Sequence, residues 1–391
     1  MYTQIGILMM ILYFIADFLP KNTNIFYRKI LLFLLIFLFW WVGGLAYKLG
    51  LDNYHYEFFY YIQNSDNYRY FELGYKLINR IFFKLGLDFY IFKGILYFLL
   101  VILTYKGIKK FFQRKKDIML VFLLLFSYGL FYYDYISFIR QAIAISIFIY
   151  SLQFIYAKKK TIFFMLIGVA CLFHRTAIVL YFLYFMFNNK NIAKIIYKKE
   201  NIILIVVFLS KIILIKYELY DFLLFFISKV FVFIPRIEYY LVFNYNELIN
   251  IYDILALVIV LTNKLLKIRY FKKESELMKY FLIVYCFYTI FNNFSFMVRF
   301  KLYIDIFLIT SIVILINKYT LINRYTKIFK YIFIILFFMR FNILTQNNFF
   351  YTSIFPYQNY TYKLFKNIKF ENTQQFLHIN ERNLKKIEDL I

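Results

Sequence analysis

Two short polar clusters set in an apolar stretch carry residue types suited to chemistry. The first reads Ser137-Phe138-Ile139-Arg140-Gln141-Ala142-Ile143-Ala144 and the second Phe173-His174-Arg175-Thr176-Ala177. An arginine grips phosphate oxygens through parallel N–H bonds, and a histidine exchanges a proton near neutral pH. Lys158-Lys159-Lys160 separates the two clusters. Arg140 lies ~17 residues before this turn and His174 ~14 after it, so helical rise brings them to depths within about 5 Å of each other. The spacing predicts a helical hairpin with Arg140 and His174 at one end and the lysines at the other. Two upstream carboxylates, Asp52 and Glu72, can take a proton from a hydroxyl as His174 can, or orient the histidine.

The elements that position these residues are membrane spans. The chain is 63% hydrophobic with mean hydropathy +0.65, far from a soluble composition. Apolar runs recur from end to end, which predicts an all-α polytopic membrane protein, a single bundle of about 12 transmembrane helices spanning 1–391. The expected spans are 4–19, 30–47, 89–105, 118–133, 137–157, 161–174, 176–187, 201–215, 251–262, 277–292, 301–317 and 331–345. Residues 1–20 carry no positive n-region and no small-residue cleavage site, so they count as the first span, not a signal peptide. Two longer segments, 48–88 and 216–250, and a tail, 346–391, connect or follow them.

A net charge of +26 would point to nucleic acid in a soluble protein. Here 25 of the 47 lysines and arginines fall in every second loop, the positive-inside pattern, and none forms a basic stripe on a polar face. Placing the basic loops in the cytoplasm puts Asp52, Glu72, Arg140, His174, Arg175, Arg236 and Arg299 on the outer side. Arginines gathered where positive charge is normally scarce suit an anionic headgroup such as a lipid pyrophosphate. Lys93, Lys211 and Arg340 sit inside apolar runs near span ends and are expected to snorkel outward. The abundant tyrosines read mainly as an interfacial belt, and Cys171 and Cys286 as small core residues. No Gly-rich phosphate loop, HExxH or Asp-x-Asp site is present, and three histidines make a histidine-built metal centre improbable. No metal and no cofactor is expected. A transporter would be expected to show helices broken by glycine and proline and an internal repeat, whereas this chain has 10 Gly and 3 Pro and no visible repeat.

Four stretches taken in order carry a resemblance. Gly50-Leu51-Asp52-Asn53-Tyr54-His55-Tyr56 is similar to G-x-D-x-x-x-Y, and Glu72-Leu73-Gly74-Tyr75 with Asn79 to E-x-G-Y-x-x-x-N. Ile139–Ala144 is similar to I-R-Q-x-I-A, and Phe173–Ala177 to F-H-K-S-A, with Arg175 and Thr176 in place of the lysine and serine. Arg299-Phe300-Lys301-Leu302-Tyr303 and Pro356-Tyr357 resemble a late R-x-x-x-Y and a final Pro-Tyr. The set resembles the EpsG family of bacterial polysaccharide polymerases, functional relatives of Wzy-type O-antigen polymerases.

The resemblance implies a GT-C-like membrane bundle in the bacterial cytoplasmic membrane, its site facing the periplasm. It implies a metal-independent glycosyltransferase that moves a growing glycan from undecaprenyl pyrophosphate to a hydroxyl of a lipid-linked repeat unit. On that reading Arg140, assisted by Arg299, holds the donor pyrophosphate, and His174 is the base or orients the acceptor. Asp52 and Glu72 bind the acceptor or share the base role. Arg175 balances charge, Gln141 hydrogen-bonds phosphate or sugar, and Tyr56 and Tyr75 contact substrate. Membrane lipid, a chain-length regulator and a flippase of the same pathway are the implied partners. An O-antigen ligase-like glycosyltransferase and a lipid-linked oligosaccharide flippase are the competing readings.

Overall fold

Every regular element described by the computed structural model is helical. It describes residues 2–20, 24–47, 49, 52–62, 71–128, 137–189, 205–207, 209–210, 253–254, 256–258, 272–291, 295–319 and 326–345. In chain order the helices are α1 (Tyr2–Phe18), α2 (Ile25–Gly44), α3 (Asn53–Tyr61), α4 (Leu73–Lys84), α5 (Phe89–Lys109) and α6 (Lys115–Ser127). There follow α7 (Ile139–Tyr156), α8 (Lys160–Cys171), a 3-10 turn (Arg175–Val179), α9 (Leu180–Asn188), α10 (Lys272–Phe291), α11 (Ser295–Tyr319) and α12 (Thr326–Thr345). Among the described residues α2, α5, α7 and the Phe300–Asn317 part of α11 are long and apolar enough to cross a membrane, and the other apolar helices are shorter. The expected spans at 201–215 and 251–262 lie largely outside the described residues, as do 216–250 with Arg236, Lys211 and the tail 346–391.

Local chemistry sets the helix ends. The Asn24 side chain accepts from the Phe26 amide at 2.9 Å to start α2, and Asp88 accepts from the Tyr90 amide at 2.8 Å to start α5. Where α1 stops, Arg28 donates to the carbonyls of Leu19 and Pro20, which a proline-terminated helix leaves open. The segment 48–88, which the sequence presents as a connection, contains α3 and α4. Its scattered charges and tyrosines interrupt any apolar run, so the helices were not visible as spans.

The core is built around α6. Ile118 to Phe126 is a run of nine apolar residues, all buried, because α1, α2, α11 and α12 pack around the helix. Beside it, α5 and α7 come into backbone contact. A Cβ on Gly107 would lie 2.4 Å from the Ile149 carbonyl oxygen, so only glycine permits the approach. One turn earlier Thr104 and Ser146 are hydrogen-bonded at 3.3 Å. The outer faces of α1 and α2 leave Ile11, Ile15, Phe33 and Phe37 exposed, which suits lipid and not water.

One end of the bundle is closed by a buried charge cluster. Asp17 of α1 accepts from Lys116 of α6 at 2.7 Å, from Lys330 of α12 at 2.6 Å and from the Tyr331 hydroxyl at 2.7 Å. The Lys330 ammonium also lies 5.1 Å from the Tyr13 ring centre. These three helix ends are the ones the alternating basic loops group on one side. Removing the shared carboxylate strands two ammonium groups. Asp17→Ala should therefore lower unfolding stability by about 3 kcal/mol, read by reversible denaturation in detergent, while Lys116→Met, which leaves the Asp17–Lys330 pair intact, should cost less.

Candidate active site

At the opposite end of α7 from the lysine turn, three segments meet on one carboxylate. Glu72 occupies the cap position of α4 with extended backbone (φ −66°, ψ 150°), and its side chain does not cap its own helix. It accepts from Arg140 Nη1 at 2.5 Å and from the Arg175 amide at 3.4 Å. His174 Nδ1 lies 3.8 Å from its second oxygen, longer than a hydrogen bond and an ion pair when the ring is protonated. Arg140 stands in the first turn of α7, where the helix's positive end disfavours a cation, so the carboxylate is what makes the position tenable. Burial pushes the Glu72 carboxyl up, but the His174 contact and the Arg140 charge outweigh it and hold the group at about 2.

Aromatic side chains complete the cage. The Arg140 guanidinium carbon lies 4.7 Å from the Phe71 ring centre and 5.8 Å from that of Tyr56. Its Nε donates to the Tyr56 hydroxyl at 3.3 Å. Phe71 and Tyr56 stack at 5.9 Å, and Tyr75 meets both edge-on. Glu72, Tyr75 and Asn79 share one face of α4, and all three are buried. The Asn79 amide finds no hydrogen-bond partner among the described residues.

Gly74 explains how α4 reaches this point. Its amide donates to the Leu172 carbonyl at 2.8 Å, and a Cβ there would sit 2.8 Å from the same oxygen. The close approach docks α4 onto the end of α8, one turn from His174. The α3 helix is fixed from below by a buried lysine. Lys93, fully buried, donates to the Ala46 carbonyl at 3.0 Å and to Asn53 Oδ1 at 2.9 Å. Asn53 Nδ2 donates to the Tyr90 hydroxyl, which donates to Glu57 at 2.6 Å. This corrects the expectation that Lys93 snorkels: the ammonium points into the protein because Asn53 of α3 and the Ala46 carbonyl just after α2 supply the oxygens it needs. The side chain of Arg340 lies outside the described residues. The tyrosine belt is likewise only part of the account, since Tyr13, Tyr60, Tyr75, Tyr90, Tyr97 and Tyr303 are buried inside the protein. Cys171 and Cys286 are free and half-buried.

Of the residues singled out in the sequence, Arg140, Glu72, His174, Tyr56 and Tyr75 are brought together. Arg175 joins through its backbone amide while its side chain is exposed. Asp52 opens α3, half-buried, and its carbonyl accepts from the Tyr56 amide at 3.0 Å. Gln141 is buried beside Arg140 on α7. Arg299 lies in α11, and its side chain is outside the described residues. Sequence reasoning missed Phe71, whose only signal was adjacency to Glu72, and the roles of Gly74 and Lys93.

A bundle of apolar helices with an arginine–glutamate–histidine group at one end defines a helical membrane protein with a buried polar site. The chain belongs to the EpsG family: the family model matches residues 29–359 of the 391. Membership points to a polysaccharide polymerase of glycosyltransferase type. No curated protein and no solved structure matches the chain.

Because the Glu72 carboxyl is held low, its stabilising contribution is complete above the ordinary glutamate range near 4.5 and lost as pH falls through about 2. The stability gap between wild type and Glu72→Gln should stay flat from neutral pH to the ordinary glutamate pKa and close only below it, measured by denaturation at stepped pH. Gly74→Ala should cost about 1–3 kcal/mol in the same assay, because a backbone carbonyl has to move.

Proposed function

We propose that the protein is a polysaccharide polymerase of the outer face of the bacterial cytoplasmic membrane, a single GT-C-like bundle of about twelve spans. The observation that carries the reading is the convergence of Glu72, Arg140 and His174 from three separate segments at one end of the bundle. The donor is a glycan on undecaprenyl pyrophosphate and the acceptor a sugar hydroxyl of a lipid-linked repeat unit. The bond from the anomeric carbon to the pyrophosphate oxygen breaks, and the acceptor oxygen forms the new glycosidic bond. The acceptor proton passes to a base, and undecaprenyl pyrophosphate leaves as the anion.

Arg140 uses Nη1 for Glu72 and Nε for Tyr56, and the remaining guanidinium N–H groups stay available for phosphate oxygens. Its side chain is 19% exposed, so it is reachable yet screened from bulk water. His174 serves as the base, and Glu72 orients it and offsets the charge it gains. Asp52, on the turn before Tyr56, contributes to the acceptor side with Tyr75, and Arg299 and Gln141 assist at the donor.

Complementation of a deletion strain with Arg140→Ala and His174→Ala, with glycans resolved by size, tests this. Loss of long polymer and accumulation of single lipid-linked repeat units on the outer side, at normal membrane protein level, is expected for both. Repeat units trapped on the cytoplasmic side would identify a flippase, and unchanged polymer would remove the site from the chemistry.

A further inference from the structure

At the far end of α7 from Glu72 and Arg140, the two helices that touch at Gly107 and Ile149 part company. Beyond Gly107, α5 ends at Lys109 and α7 runs on to Tyr156, leaving a cleft of about 290 Å³ between them. Lys110, just past the end of α5, and Lys159, in the turn between α7 and α8, stand at the cleft, and Phe111, Phe154, Tyr156 and Gln153 line it. Among the described residues neither Lys110 nor Lys159 has an acidic partner. Phe111 and Tyr156 meet edge-on at 6.4 Å, giving an aromatic wall. The Gln153 amide nitrogen donates to the Tyr150 carbonyl at 2.9 Å, which leaves its oxygen as an acceptor.

The turn that carries Lys159 is itself costly. Lys158 adopts φ 56°, the left-handed conformation in which glycine is the ordinary choice. The Lys158 and Lys159 amides close the turn by donating to the Ile155 and Phe154 carbonyls at 3.0 and 2.8 Å. Keeping three consecutive lysines here, one of them in a disfavoured conformation, is more than ending a helix requires. Lysines at helix ends also complement the helix dipole, but that role needs no cleft.

We infer that this cleft binds the headgroup of an anionic glycerophospholipid from the membrane leaflet at that end, clamping the end of α5 to the α7–α8 turn. The phosphate pairs with Lys110 and Lys159, a headgroup hydroxyl donates to Gln153, and the rings cover the glycerol backbone. A single phosphate beside a hydroxylated headgroup, as in phosphatidylglycerol, matches two cations and one free acceptor. The site is remote from Arg140 and His174 and does not depend on what they do.

The test compares the full chain in nanodiscs of phosphatidylcholine with and without phosphatidylglycerol. Phosphatidylglycerol should raise the thermal unfolding midpoint of wild type by about 3 °C. Lys110→Gln/Lys159→Gln should lose most of that shift, whereas Lys29→Gln/Lys115→Gln, with the same change in charge near the same end of the bundle, should keep it. Equal shifts in the two double variants would overturn the site, because only general surface charge would then be at work. Millimolar inorganic phosphate reproducing the shift in pure phosphatidylcholine would overturn the lipid assignment. If the first double variant does not fold, phosphatidylglycerol co-purified with Lys159→Gln is compared with wild type by mass spectrometry, and undiminished lipid would likewise overturn the site.

Discussion

The pair between Glu72 and Arg140 is the interaction on which the site depends. Arg140 stands in the first turn of its own helix, at the positive end of the helix dipole, so it needs a carboxylate from elsewhere. That carboxylate arrives on a helix with little of its own to hold it, since α4 has an exposed stripe of Leu73, Leu77 and Ile81. Two devices fix it instead. Gly74 lets α4 approach the Leu172 carbonyl, which also brings Glu72 to His174 and to the Arg175 amide. Phe71, immediately before Glu72, lies on the guanidinium and on Tyr56. On the far side of Tyr56, Lys93 ties α3 to the bundle through Asn53. Each contact crosses between chain segments, so the site assembles only when the bundle does.

Much of this was legible in one dimension, and the limits are physical. The alternation of apolar runs and basic clusters located most helices, because lipid imposes an apolar length and the membrane sorts charge. The hairpin placed Arg140 and His174 at one level, since helical rise converts residue count into depth. Glu72 stood out as a carboxylate, but its partner did not, because pairing across segments leaves no periodic trace. Lys93 shows the opposite failure. A lysine near a span end reads the same whether its ammonium turns toward water or inward, and only the neighbouring Asn53 and the Ala46 carbonyl decide. Phe71 and the close approach that Gly74 permits were invisible for a related reason, as their value lies in what approaches them.

The charge cluster at the other end has a consequence for how the chain comes to be made. Asp17 and Lys330 are 313 residues apart, so the carboxylate leaves the ribosome long before its buried partner exists. During that interval the first hairpins must be held with an acid waiting at their edge. Lys116, much nearer in the chain and bound to the other carboxylate oxygen, is available as soon as α6 is in place. Arrival of α12 then supplies the second ammonium and the Tyr331 hydroxyl, which locks the last described helix onto the first. Until α12 is in place Asp17 therefore has one of its two ammonium partners and lacks the Tyr331 hydroxyl, so the buried carboxylate is fully satisfied only in the finished bundle.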